Sequence, residues 1–343
     1  MAEFLTAKEL TTKILICLAA LTVIMCLCAL VGSQSISMKR VFEGPGQERG
    51  ENIDYEIFVT VRLPRVLLAA LVGAALACSG VVLQAILRNP LADPYILGIS
   101  SGAGLGVITA IISGISWSFL GGSPIGIFAF GGAIITVWLV WYIGHFTGKS
   151  QVTSLLLAGV VVNAFFSAII MFLTSIAKSE QVISTIFWLM GNIKEKELSV
   201  LWISAVCILA GIAILFTVCH RLNVLALGQE EAKGLGVNVA RTRIIAFACA
   251  AFITAIAVSL SGLIGFVGLI IPHGVRLTFG PDHRQLLPLS AIIGAAFLII
   301  ADTIARIIVA PAQLPVGVIT AITGGPFFLI LLAKYSRKVS WLK

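Results

Sequence analysis

The stretch LPRVLLAALVGAALACSGVVLQAIL, residues 63–87, decides the fold class of this chain. After Arg65 it contains no charged side chain. A helix needs about 20 predominantly apolar residues to cross the hydrocarbon core of a bilayer. The stretch therefore predicts a membrane-spanning helix, whose apolar run we place at 64–87.

Nine further apolar runs lie on either side of this stretch, at 14–32, 95–115, 124–146, 153–176, 198–219, 242–260, 262–280, 286–308 and 316–334. Of the 343 residues, 59% are hydrophobic and 11% are charged, whereas soluble domains carry about 25% charged residues. The composition excludes a soluble enzyme. It predicts an all-α, polytopic membrane protein of about ten helices, forming a single transmembrane domain over residues 1–343. Residues 242–280 could form one helix, but Ser261-Gly262 and Gly265 predict a break.

Lysine and arginine concentrate in the segments that lie inside if both chain termini are cytoplasmic. This orientation places segments 33–61 and 177–197 outside and segment 220–241 inside. The pattern of 177–197 predicts a short helix on the membrane surface. The net charge of +8 is thus a topology signal, and it does not indicate nucleic-acid binding.

Two short motifs and the four histidines resemble catalytic, nucleotide-binding or metal sites without meeting the requirements of those sites. GISSG, residues 98–102, matches a nucleophile elbow but opens a helix; the four-residue spacing of Gly98, Gly102 and Gly106 instead predicts close helix packing. GKS at 148–150 resembles the end of a phosphate-binding loop, but Ile143 stands where that loop needs glycine. The four histidines lack metal-ligand spacing, so we expect no metal and no cofactor.

The centres of the ten runs contain no charged side chain, whereas proton-coupled carriers usually keep an ionisable relay at membrane depth. Asp302 and Arg306, near one end of the ninth run, are spaced to pair on one helix face. Transport energy is therefore not expected to enter through a proton site in this chain. An ion-driven carrier or channel without an ATPase remains the alternative of a different class, and co-purification with an ATP-binding subunit would separate the two.

Segment 225–237, LALGQEEAKGLGV, lies in the inside loop of about 220–241. It predicts a short helix that ends at Gly234 and Gly236, because glycine tolerates left-handed backbone angles. Such an element suits docking of a cytoplasmic partner. An ordinary amphipathic connector is the alternative on composition alone.

Several segments together resemble one family, and they occur in that family's order over about residues 55–335: RLPR at 62–65, RNPLADP at 88–94 followed by LGISSGA at 97–103, ALG at 226–228, LGV at 235–237, GFVGLIIPH at 265–273, DHR at 282–284, ADT at 301–303, LPVG at 314–317 and GPFF at 325–328. The chain resembles the FecCD-type permease subunits of ABC importers for iron siderophores, haem and cobalamin.

The resemblance implies a type II ABC importer permease in the bacterial cytoplasmic (inner) membrane. In that family two permeases, identical or paralogous, form the pore within membrane lipid. Two ATP-binding subunits sit beneath it, so this chain is not expected to hydrolyse ATP. A periplasmic or lipid-anchored binding protein delivers the substrate. A ferric siderophore is the first expectation for this chain, haem the second and cobalamin the third.

The resemblance also implies three sets of site residues. The ATPase-coupling residues are Leu225, Ala226, Leu227, Gly228, Glu230, Gly234, Leu235 and Gly236. The arginines that contact acidic residues of the binding protein are Arg62, Arg65 and Arg306. The inner gate lies near Gln151, Val152 and Thr153.

Overall fold

A computed structural model describes residues 6–32, 34–45, 52–115, 122–146, 151–194 and 196–340. In chain order the α-helices are α1 (Ala7–Leu30), α2 (Met38–Phe42), α3 (Ile53–Glu56), α4 (Leu63–Leu87), α5 (Ile99–Ile112), α6 (Pro124–Phe146), α7 (Gln151–Ile176), α8 (Ser179–Leu189), α9 (Leu198–Leu227), α10 (Gln229–Gly234), α11 (Val239–Ser261), α12 (Val267–Phe279), α13 (His283–Ile307) and α14 (Val316–Ser340). A π-helical segment, Ile57–Arg62, joins α3 to α4, and a 3₁₀ turn, Pro94–Leu97, precedes α5. The predicted all-α class is confirmed.

Within the described ranges, seven helical stretches are long and apolar enough to cross a membrane, and three shorter apolar helices accompany them. The long ones contain α1, α4, α6, α7, α9, α11 and α13; the shorter ones lie in α5, α12 and α14. These ten helices correspond to the ten predicted runs. The second begins earlier than predicted, because α3, the π-helical segment and α4 form one stretch over Ile53–Leu87, and the Asn52 side chain caps its start.

Helix α4 lies at the centre of the bundle, where it packs against α9, α11, α12 and α13. Two glycines allow the closest approaches. A β-carbon at Gly73 would collide with the backbone carbonyl of Gly294 on α13, and one at Gly80 would collide with that of Gly268 on α12. Close packing of this kind replaces the hydrophobic driving force that is missing between helices in lipid.

The predicted small-residue stripe on α5 is confirmed. Gly102 faces the carbonyl of Gly132 on α6, and Gly106 faces the carbonyl of Phe128 on the same helix, so a β-carbon at either position would meet backbone. The two helices therefore approach along one glycine-lined face, and the motif at 98–102 serves packing.

The predicted break near residue 262 is also confirmed, and it is longer than expected. Helix α11 ends at Ser261, and α12 starts only at Val267 after Phe266, which has a positive φ of 71°. Unpaired backbone groups inside an apolar bundle need partners. The Tyr95 hydroxyl supplies one: it donates to the Ile264 carbonyl and accepts from the Ile264 N–H, both at 3.0 Å.

Candidate coupling, gate and docking sites

The coupling segment, residues 225–237, is a hydrogen-bonded turn between the membrane helices α9 and α11. After α9 and the extended residue Gly228, the short α10 ends in a Schellman motif. Its two closing bonds run from Gly236 N–H to the Lys233 carbonyl at 2.9 Å and from Val237 N–H to the Ala232 carbonyl at 2.9 Å. Gly236 has a φ of +78°, so the prediction of a left-handed glycine is confirmed there. It is wrong for Gly234, which is the last residue of α10 and has no positive φ.

A small hydrophobic cluster separate from the main core fixes this segment. Leu225, Ala232 and Val239 are buried together, with Val237 packed against them. Two leucines of the segment point away from this cluster: Leu227 is 70% exposed and Leu235 is 65% exposed. One side of the segment is thus packed on this cluster, while Leu227 and Leu235 form an exposed apolar surface on the other.

Polar contacts tie the base of the coupling segment to the helices on either side. Arg88, at the end of α4, donates to the Leu225 carbonyl at 2.9 Å. Asn223 on α9 donates to Asp282 at 2.7 Å and accepts from the His283 N–H at 2.8 Å. Burial raises the pKa of Asp282, but hydrogen bonds from Arg284 and Asn223 outweigh it and hold the pKa at about 2. The carboxylate therefore stays charged at physiological pH.

The structure brings the eight predicted coupling residues together in this one turn. Leu225 and Gly228 are buried within it. The other six are exposed: Ala226, Leu227, Glu230, Gly234, Leu235 and Gly236. Glu230 pairs with Lys233 at 2.8 Å on the exposed side of α10.

The predicted gate residues form the first turn of α7, which begins at Gln151. Thr153 is exposed there, whereas the side chains of Gln151 and Val152 lie outside the described part of the chain. The GKS motif at 148–150 also lies outside it. One turn further on, Leu155 packs against Gly144 of α6, which fixes the start of the helix.

Helix α7 leaves much of its surface exposed within the described part of the chain, where its main contacts are with α5, α6 and the Pro94–Leu97 turn. Its sequence contains no Asp, Glu, Lys or Arg. The exposed side includes one amide, Asn163, among large apolar side chains: Leu157, Val160, Val161, Phe165, Met171, Phe172 and Ile176.

The arginine cluster, formed by Arg62, Arg65, Arg306 and Asp302, lies at the end of the bundle opposite the coupling segment. Arg65 grips Asp302 through two nitrogens, with Nε 3.0 Å from Oδ2 and Nη2 2.9 Å from Oδ1. Arg306 lies one helical turn after Asp302, with its Nε 3.2 Å from Oδ2. The predicted pair on the ninth apolar run is confirmed, and Arg65 joins it from another helix.

Two members of the cluster bind the end of α1. Arg62 donates to the carbonyls of Leu30 at 2.6 Å and Ala29 at 3.3 Å, and also to that of Gln34. Arg306 donates to the Cys28 carbonyl at 3.4 Å. The last carbonyls of a helix lack partners within it, and α1 has no basic residue in its last turn. Arginines from the π-helical segment and from α13 therefore cap α1.

The structure places the three predicted docking arginines side by side, and each is engaged within the chain. Arg62 is 4% exposed, Arg65 4% and Arg306 6%. Their contact with a binding protein stays a prediction. No sequence pattern predicted the contacts of Asn223 and Tyr95, which stabilise the coupling segment and the α11–α12 break. A start signal for α13 was visible, because Asp at 282 is a favoured residue before the first helical turn.

Comparison with known proteins places these features in one family. Residues 20–334 match the FecCD transport family. Among curated relatives, the cobalamin import permease BtuC of Halobacterium salinarum is 45% identical over 80% of this chain and 72% of its own. The hemin transport permease HmuU of Yersinia pestis is 41% identical over 83% and 86%. A probable iron chelatin permease of Helicobacter pylori is 42% identical over 80% and 82%.

A solved structure shares the architecture. It is described as an inward-facing conformation of a metal-chelate type ABC transporter, with a TM-score of 0.79 and 34% identity over 92% of this chain and 98% of that one. The family match spans most of the chain, and the ten-helix bundle agrees with this neighbour. The chain belongs to the FecCD family of ABC importer permeases, and it is a multi-pass membrane protein.

Proposed function

We propose that this chain is the permease subunit of an ATP-driven importer that moves a ferric siderophore across the cytoplasmic membrane. The observation that carries the proposal is the coupling segment, which is fixed rigidly at its base and uncovered at its tip. In this proposal two separate ATP-binding subunits dock there, and both chain termini lie on the same, cytoplasmic side. ATP hydrolysis belongs to those subunits.

Exposed leucines in an aqueous loop favour a docking function over a simple connector. A connector gains nothing from Leu227 and Leu235, which are 70% and 65% exposed at a membrane surface. A partner that covers them would gain roughly 25 cal/mol for each Å² of apolar surface removed from water. The Asn223, Arg88 and Asp282 contacts would then transmit movement of the partner to α4, α9 and α13.

The uncovered side of α7 fits contact with a second permease and with the substrate path. The proposed pore forms where two copies bring these sides together, with the gate at Gln151, Val152 and Thr153 on the partner-facing start of the helix. A path lined by large apolar side chains and Asn163 binds a bulky, partly apolar chelate weakly, which lets the chelate leave. It offers no fixed charge for a small inorganic anion.

The arginine cluster is proposed to face the binding protein. Its three guanidinium groups outnumber the single carboxylate, Asp302, which pairs with Arg65 and Arg306. The cluster therefore carries net positive charge at the bundle end opposite the coupling segment. Because the arginines are engaged inside the chain, we assign them to electrostatic steering of an acidic partner. Charged patches raise association rates in this way without forming the final contacts.

Uptake into proteoliposomes that contain the permease and its ATP-binding subunits tests the substrate. When the cognate binding protein is added to the assay, ATP should drive accumulation of an iron-loaded siderophore. Haemin and cobalamin should compete poorly with the siderophore for uptake. Preferred uptake of haemin or cobalamin would replace the siderophore assignment and leave the importer intact. Uptake driven by an ion gradient without ATP would contradict the importer mechanism itself.

A further inference from the structure

A crevice runs between α6, α9 and α11 on a side of the bundle that neither the coupling segment nor the arginine cluster uses. Its deeper part has a volume of about 510 Å³ and is lined mainly by apolar side chains, among them Phe130, Ile203, Phe252 and Ile256. A second part, of about 390 Å³, lies between α8, the start of α6 and the end of α11; it is more polar and includes Lys194 and Lys196. The two parts adjoin, because the same residues line both: Ser123, Gly126, Lys196, Ser259 and Leu260.

The depth of the crevice matches one leaflet of a bilayer. Its lining reaches Cys207 on α9, which begins at Leu198, and Phe252 on α11, which ends at Ser261. Nine residues of α-helix span about 13 Å, so both helices give the same depth. Half of a hydrocarbon core is about 15 Å thick. The apolar part therefore lies where the acyl chains of the leaflet opposite the coupling segment would be.

The polar groups at the mouth fit a phospholipid headgroup. The ammonium groups of Lys194 and Lys196 each have three donors, so they can bind a phosphate through charge-assisted hydrogen bonds in addition to contacts within the chain. Glu197 is the acidic residue that lines the apolar part beside them. The Asn192 side-chain oxygen, Oδ1, is buried and has no hydrogen-bond partner among the described residues. A buried acceptor of this kind calls for a donor. An ethanolamine ammonium next to the phosphate would supply one.

From this combination we infer that the α6–α9–α11 crevice binds one phospholipid of that leaflet, with its phosphate at Lys194 and Lys196 and an acyl chain against Phe130 and Phe252. The inference does not depend on the transported substrate. Membrane lipid surrounds this side of the bundle, and the two lysines favour binding of a lipid that carries a phosphate.

Native mass spectrometry of the full-length chain, titrated with phosphatidylethanolamine, tests the inference. Wild type should retain one lipid per chain. Lys194→Ala/Lys196→Ala should weaken retention at least tenfold, because both phosphate contacts are lost. The matched control is Lys39→Ala/Lys178→Ala, which removes two exposed lysines from elsewhere in the chain and should bind like wild type.

A second pair of variants tests the apolar part. A β-carbon at Gly126 would meet nothing closer than 3.4 Å, so Gly126→Leu should fill the crevice without a collision at the backbone. We expect it to lose the lipid as well. Gly131→Leu on the same helix, also in open space, faces a different groove and should retain it.

Three results would overturn the inference: no saturable binding of one lipid to wild type, both crevice variants binding like their controls, or equally tight binding of glycerophosphoethanolamine, which lacks acyl chains. Melting curves accompany each variant. If the double lysine variant does not fold, the Gly126→Leu and Gly131→Leu comparison alone decides.

Discussion

The two ends of this bundle handle their polar and apolar groups in opposite ways. The arginine cluster buries four charged side chains, and its contacts to Asp302 and to the end of α1 lie within the chain. The coupling segment leaves two leucines in water and carries an exposed ion pair. Removing one partner from a buried charge network is costly, whereas exposed pairs contribute little. The difference fits a stabilising role for the arginine cluster and the proposed docking role for the coupling segment.

The largest expected effect is that of Asp302→Asn. It leaves Arg65 and Arg306 buried without their shared carboxylate, which should lower the free energy of unfolding by about 3–5 kcal/mol. Glu230→Gln breaks the exposed pair with Lys233 and should cost less than about 1 kcal/mol. Thermal unfolding of the purified variants compares them. Equal melting temperatures for the two variants would show that the buried cluster does not stabilise the protein more than the exposed pair does.

Arg62→Ala should come next. It removes the hydrogen bonds to the last carbonyls of α1, at an expected cost of about 2–3 kcal/mol, because bonds from charged groups are the stronger class. Limited proteolysis should then cut faster in segment 34–45. Arg40→Ala, an exposed arginine in the same part of the chain, is the control. Cleavage at the control rate would show that Arg62 does not hold α1.

Gly236→Ala should have a smaller effect on stability and a clear one on function. Alanine at a φ of +78° costs about 1–2 kcal/mol and would distort the end of α10. Gly234 is helical with open space around it, so Gly234→Ala should be neutral. ATP-driven uptake should fall only in the first variant. Equal uptake by the Gly236→Ala and Gly234→Ala variants would show that transport does not depend on how α10 ends.

The smallest expected effect concerns the proposed steering by the arginine cluster. Arg62→Gln removes one charge and retains hydrogen-bond donors, so we expect the binding protein to associate a few-fold more slowly at low salt. The difference should vanish at high ionic strength, where charges are screened. Stopped-flow association rates measure this. An association rate at low salt equal to that of wild type would contradict the proposed electrostatic steering.

Sequence patterns predicted the ten hydrophobic helices, the α5 stripe, the break after Ser261 and the pair of Asp302 with Arg306. These features depend on local spacing, on glycine and on hydropathy, all of which are visible along one chain. The burial of Arg62 and Arg65 was not predicted, because their partners lie on α1 and α13. Backbone carbonyls at the end of α1 have no sequence signature. Asn223 and Tyr95 were missed for the same reason.

The central claim is that the coupling segment docks a separate ATP-binding subunit, and the affinity between the two purified proteins tests it most directly. Leu227→Ser/Leu235→Ser should weaken that affinity at least tenfold, about 1.4 kcal/mol, with an unchanged melting temperature. Leu227→Met/Leu235→Met keeps the apolar surface and should bind like wild type. Wild-type affinity in the serine variant would contradict the account.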